Sequence, residues 1–383
     1  MKNNNFLGDM TVERLNAIDK RVNRNKKESR KYLRLKFSQR KFPVLGKYGE
    51  FKPKAGWKII TIPEEFRIGE LEANKFIQNL HNIAFKARVK GDTDNIFLNM
   101  YNLKKISVPS AVMLAAEIMR CQKLLKYKLK GAFPNDIDVR LSLKHFGFFS
   151  LIETDNDPCP SMKAVTKKDF VLKPIQTMVS GQEGRESTSK ALVALSELLY
   201  GGDQVVKNPL TQQLRVLLGE IILNVGYHAY INKEKGSFLP DTLWFTGMKN
   251  IKEGQLVFII YDQGVSIPAS LPQNEKWRPL WHKFVNRNDA DLIEEATMLH
   301  KTSSPDQGRG NGLSRLKGIT DKHDNSELTI YSGKGIYTYK SGEDTPSVKE
   351  NVDVGIEGSM LIWRLEGVEE FKVKEEGELQ NVA

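Results

Sequence analysis

Cysteine is nearly missing from this chain: 383 residues contain two, Cys121 and Cys159. One falls in an apolar helical run and the other in a proline-flanked loop, which excludes a disulfide framework and a cysteine-based metal centre. Long apolar runs are missing too, and none approaches the roughly eighteen residues a membrane helix needs. The opening MKNNNFLGDM lacks the apolar stretch of a secretory leader, so a cytoplasmic location without membrane partners is expected. What is present, 40% hydrophobic and 27% charged residues, is the composition of a globular protein. The length points to two or three domains rather than one core.

The net charge of +11 is concentrated in one place. Residues 21–48 hold eleven Lys or Arg against a single acid, Glu28, and so carry +10 of it. A near-neutral body thus bears one basic arm, suited to a phosphate backbone or an acidic protein surface. The alternative is a solvated tail. Tyr32, Leu33, Leu35 and Phe37, interleaved with the charges, favour docking.

Beyond the arm (1–55), periodicity predicts strand WKIITIPEEF (57–66), a helix over 70–89 and strand NIFLNMYNL (95–103). A helix over 109–126 opening on Pro109, a strand over 127–134 and a helix over 137–152 follow. Alternating strands and helices over 56–155 predict a small α/β domain. This pattern resembles STAS-like domains, in which a Ser or Thr at a strand-to-helix turn is a phosphorylation site. ISVPSAVMLAAE (106–117) stands at that turn, with Ser107 and Ser110 as the matching hydroxyls, although the Asp that usually precedes the serine is missing. The plain alternative places Ser110 in the first turn of a helix. Residues 156–186 read as a linker and first strand, and 367–383 as a polar tail.

Three segments in the C-terminal half carry chemistry. In LGEIILNVGYHAY (218–230), on a helix predicted over 210–230, Glu220, Asn224 and His228 are four residues apart and share a face. Leu217, Leu218, Ile221 and Ile222 supply the buried side. A carboxylate beside an amide oxygen suits magnesium bound to a nucleotide, and the carboxylate can activate a water or hydroxyl. QLVFIIYDQG (255–264) is a buried-strand run ending in Asp262 and Gly264. A carboxylate there can accept from an adenine amino group where glycine allows close approach, or can merely close an Asx turn. GRGNGLSRLK (308–317) feeds Gly308, Arg309, Gly310, Asn311, Gly312 and Leu313 into an amphipathic run, and a glycine loop at a helix start presents N–H groups to phosphate. It is neither a Walker A loop nor a dinucleotide-binding fingerprint. HKTSSPDQ (300–307), just before it, has the composition of a lid.

Together these segments make residues 187–366 resemble the GHKL superfamily of gyrase, histidine kinase and MutL-type ATPases. Glu220, Asn224, His228 and Ala229 match the N box, Asp262 and Gly264 the first glycine box, and Gly308, Gly310, Asn311 and Gly312 the second. GIEGSMLIWRL (355–365) resembles the closing strand, with Ser359 as its small hydroxyl residue. The resemblance implies an α/β sandwich (Bergerat fold) holding ATP and magnesium. It implies Asn224 on the metal and Glu220 as general base. It further implies Asp262 on adenine, with Gly264 and Ile267 beside it, and residues 308–313 at the phosphates. Ser266 departs from the pattern by replacing the box's second glycine, which is expected to stiffen the loop.

Several functions are compatible with such a pocket. One is an ATPase switch contacting a protein partner or a second copy, in signalling or defence. Another is a serine kinase of the anti-sigma type, whose N boxes ILNVGYHAY resembles. A third is a nucleic-acid-binding module with structural ATP, read by the arm 21–48. Of the six histidines only His323 is followed by an acid, Asp324, and it lies after the glycine loop rather than on a helix ahead of the ATP-binding segment, which disfavours a self-contained histidine kinase. Trp277 and Trp281, between Asp262 and the lid, either cover the adenine pocket or pack the base of the lid.

Overall fold

The computed structural model describes residues 57–90, 95–125, 129–151, 170–172, 176–179, 242–250, 253–271, 286–298, 312–343 and 347–367, with Val216, Leu217, Gly219 and Ile221. The basic arm, the lid segment 300–307, Trp277, Trp281 and the tail from 368 lie outside the described residues. The architecture is mixed α/β, with a three-stranded parallel sheet, a two-stranded parallel ladder and a six-stranded antiparallel sheet among the described residues.

The first unit alternates strands β1 (Trp57–Thr61), β3 (Asn95–Asn99) and β5 (Lys130–Ala132), paired in parallel in the order β1-β3-β5. A two-residue ladder joins β2 (Glu65–Phe66) to β4 (Lys105–Ile106). Helices α1 (Leu71–Lys90) and α2 (Val108–Leu125) make the crossovers that parallel pairing requires. In α2, Ser107 accepts from the Ser110 N–H at 3.3 Å, and Pro109 sits in the first turn, where a missing N–H is harmless. Ala, Met and Leu then propagate a helix that is apolar nearly all round, the signature of a fully buried helix. Ser110 is itself buried, with its hydroxyl 2.6 Å from Ser107 Oγ and accepting from the Ile68 N–H at 2.8 Å. Its place is therefore the helix-turn alternative rather than an open hydroxyl. Helix α3 (Ile137–His145) starts on Asp136, whose carboxylate accepts from two backbone N–H groups. It ends sooner than the sequence pattern suggests, because Gly147 turns the chain at φ 71° into a short 3-10 turn over Phe148–Ser150.

The second unit is a six-stranded sheet in the order β10-β11-β9-β8-β6, with β7 also on β8. Its strands are β6 (Phe170–Leu172), β7 (Gln176–Val179), β8 (Thr242–Asn250), β9 (Gln255–Asp262), β10 (Glu327–Lys340) and β11 (Ser347–Leu365). Stretch 170–179, read from sequence as one strand, forms two, both antiparallel to β8. Helices α4 (Ile267–Ser270), α5 (Asp289–Met298) and α6 (Gly312–Thr320) accompany this sheet.

Period-two alternation divides the sheet into two faces. Trp244, Met248, Val257, Ile259, Tyr261, Met360 and Ile362 share one apolar cluster with α1 and α2. Leu243, Phe245, Leu256, Phe258, Ile260, Leu361 and Trp363 share the other with Ile293 of α5 and Leu316 and Ile319 of α6. Separate domains expected from sequence are therefore joined by a continuous core. The order of layers is small sheet, helices α1 and α2, large sheet, then the second helix layer.

Candidate functional site

Strand β9 is buried along its whole length and lies between β8 and β11. Its last residue, Asp262, pairs with Leu243 and with Ser359, placing its side chain on the face covered by α5 and α6. A carboxyl there is 5% exposed, and burial pushes its pKa up to about 7. Two hydrogen bonds work the other way. The Gly264 N–H donates to Asp262 Oδ1 at 2.9 Å, and the Ser359 backbone also bonds to the carboxyl. At near-neutral pH the group therefore passes between an acceptor carboxylate and a donor acid.

The loop after Asp262 is held by hydroxyls. Ser332 Oγ of β10 accepts from the Ile267 N–H at 2.8 Å, lies 2.7 Å from Ser359 Oγ and donates to the Gly358 carbonyl at 3.2 Å. Ser266 adopts extended backbone (φ −65°, ψ 158°) and caps α4 by accepting from the Ala269 N–H at 3.3 Å. The expectation that serine here deprives the loop of a positive φ is thus not met, since the position uses none. Gly358, at φ 75°, is where glycine is required: a Cβ would run into the Asp262 carbonyl. Here β11 skips two residues against β10, between the pairs Ser332–Ser359 and Gly333–Ile356.

Other expected site residues are partly placed. Gly312 is buried at the first position of α6, and Leu313 packs on the same apolar cluster as Ile267. Leu217 and Ile221, both helical and buried, join that cluster on the Asp262 face. Glu220, Asn224 and His228 lie outside the described residues, as do Gly308, Arg309, Gly310 and Asn311. Among the described residues, no cluster of three or more His, Cys, Asp or Glu side chains could hold a metal ion. No helix among them is long and apolar enough to cross a membrane.

Sequence reasoning missed Ser332, which has no local signature. It also missed Asp289, whose carboxylate accepts from the Lys334 N–H at 2.7 Å beside Gly333 at φ 59°. A third omission had a signal. Glu117 and Arg120 are two charged residues three apart in the middle of a largely apolar helix, a pattern that demands a buried polar network. No protein-family model matches the chain, and no curated protein matches it.

Proposed function

We propose that this chain binds ATP with magnesium in a GHKL-type (Bergerat) pocket and hydrolyses it to switch the state of the protein. The observation that carries the reading is Asp262, a buried carboxyl at the end of a central antiparallel strand, tied to a glycine N–H two residues on. Ser359 faces it across the ladder, and a helix that begins on the last glycine of GRGNG shares its apolar face. That donor set fits an adenine edge: ionised Asp262 accepts from the amino group, and the Ser332-held loop fixes where the base sits.

In this reading Asn224 holds magnesium, and the metal supplies charge neutralisation at the phosphates. Glu220 orients the attacking water and takes its proton, while residues 308–313 offer backbone N–H groups to the phosphates. The first unit takes the place of a STAS-like domain, and ordering of the lid on ATP changes how the protein meets a protein partner or a second copy. The kinase reading gains no support from the neighbouring unit, because Ser110 is buried and hydrogen-bonded and Ser107 caps α2.

The test is phosphate release from Mg·ATP by the full chain and by Glu220→Ala. Release slowed about a hundredfold or more in the variant supports the assignment, a typical effect of removing a general base. Equal rates remove Glu220 as the base.

A further inference from the structure

The end of β9 faces two ways. Asp262 points to the helix-covered face, while its neighbours Tyr261 and Gln263 turn toward α2 of the first unit. There they meet a buried ionic cluster centred on Glu117, which is fully buried. Gln263 Nε2 donates to Glu117 Oε2 at 3.2 Å, and Cys121 Sγ donates to Oε1 at 3.1 Å. His81 Nδ1 of α1 lies 3.3 Å from the same oxygen, and Arg120 pairs with Glu117 from within α2. Arg120, itself 1% exposed, reaches on to Glu357 of β11. Tyr261 donates to the Glu357 carbonyl at 3.1 Å.

The cluster therefore touches the end of β9 that carries Asp262 and the neighbouring strand β11, each within two residues of the site. Gln263 follows Asp262 directly, and Glu357 precedes Ser359 by two, inside the irregularity that Gly358 makes possible. Burial alone would push the Glu117 carboxyl up, yet the His81 imidazole 3.3 Å away and the Arg120 charge outweigh it and hold Glu117 below the usual carboxylate value. An ionised, fully buried Glu117 needs every donor it has, so releasing Gln263 is unfavourable. Among the described residues Gln263 is held on one side only: its Oε1 is buried without a hydrogen-bond partner there. The link to Glu117 thus decides its position.

We infer that Glu117, acting through Gln263, is a positioning residue for the Asp262 loop, so that helix α2 of the first unit sets the adenine selectivity of the nucleotide site. The inference rests on the nucleotide reading above. By linkage it is reciprocal: a ligand seated on the Asp262 loop must in turn steady α2.

The test compares binding of Mg·ATP and Mg·ITP to the full chain by calorimetry, since inosine carries an oxo group where adenine has its amino group. The unaltered chain prefers ATP. Gln263→Leu reduces that preference by about tenfold, the scale of one hydrogen bond to a charged group. The exchange variant Glu117→Gln with Gln263→Glu, which restores an amide facing a carboxylate, recovers it to within about threefold. A merely structural role would lower the melting temperature but leave the ATP-to-ITP ratio of the folded protein unchanged. Full preference in Gln263→Leu, or loss that the exchange does not repair, overturns the inference. Amide hydrogen exchange on the unaltered chain decides the matter if the variants do not fold: saturating Mg·ATP slows exchange across 108–125, and unchanged exchange there overturns it. Failure of the unaltered chain to bind ATP would instead overturn the nucleotide reading itself, and this inference with it.

Discussion

One face of β8, β9 and β11, built from Trp244, Val257, Ile259, Tyr261, Met360 and Ile362, is closed by a long helix that carries a buried ion pair. The opposite face, from Leu243, Phe245, Phe258, Ile260, Leu361 and Trp363, is closed by shorter helices and ends at an acid with no opposite charge beside it among the described residues. On the α2 side, polar groups are compensated: Glu117 gathers Arg120, His81, Cys121 and Gln263. On the Asp262 side, compensation among the described residues comes from backbone N–H groups, too weak to offset burial. A satisfied network specifies how two units pack, whereas an unsatisfied acid is a position tuned toward a ligand.

Breaking the compensated face has the largest expected effect. Arg120→Met leaves Glu117 buried with its strongest partner gone and destabilises the fold by about 3–5 kcal/mol in urea melts. Replacing Glu117 and Arg120 together by Leu and Met costs much less, because no charge is stranded. A double variant no better than Arg120→Met would show that shape rather than charge balance holds this face.

The other face responds in the opposite sense. Asp262 titrates at about 7 when folded, against 3.8 for the ordinary group, so between those values the folded state holds a proton the unfolded chain has lost. Stability therefore falls as pH rises from about 4 to about 7 and stays reduced above. Asp262→Asn keeps the acceptor for Gly264 and removes that penalty, so it stabilises the unliganded protein by about 4 kcal/mol at pH 8 and hardly at all at pH 4. Thermal melts at the two pH values check this. A variant less stable at pH 8 would contradict the origin given for the shift.

Smaller effects sharpen the comparison within the site. Ser332→Ala removes the hydroxyl that joins Ile267, Gly358 and Ser359, and should cost about 1–2 kcal/mol of stability while weakening ATP binding. Ser266→Gly keeps a tolerated cap residue at α4 and should change stability by only a few tenths of a kcal/mol, with nucleotide affinity unaltered. Tighter binding in that variant would revive the view that serine stiffens the loop.

Much of the fold was legible in sequence because it rests on local periodicity. Helices over 71–90, 108–125 and 312–320, and the strand over 255–262, fall within a few residues of the runs that predict them. Within the site, Asp262, Gly264 and Ser359 were legible as a strand end, a following glycine and a facing strand, and the structure brings them together. Long strand β10 and the full span of β11 were not, since their pairing depends on partners far apart in the chain and on the irregularity at Gly358. Nor could periodicity reveal that both faces of the large sheet are covered, although the unbroken apolar run LVFIIY in β9 is what such coverage requires. Ser332 and Gln263 escaped for the same reason: their roles exist only once β10 and α2 have docked.

The most direct test of the nucleotide pocket is a calorimetric titration of the full chain with Mg·ATP, set beside Asp262→Asn at pH 8. Saturable binding that weakens at least about tenfold in a variant that stays folded is the predicted result. No binding by the unaltered chain, or equal affinity in the variant, would contradict the account.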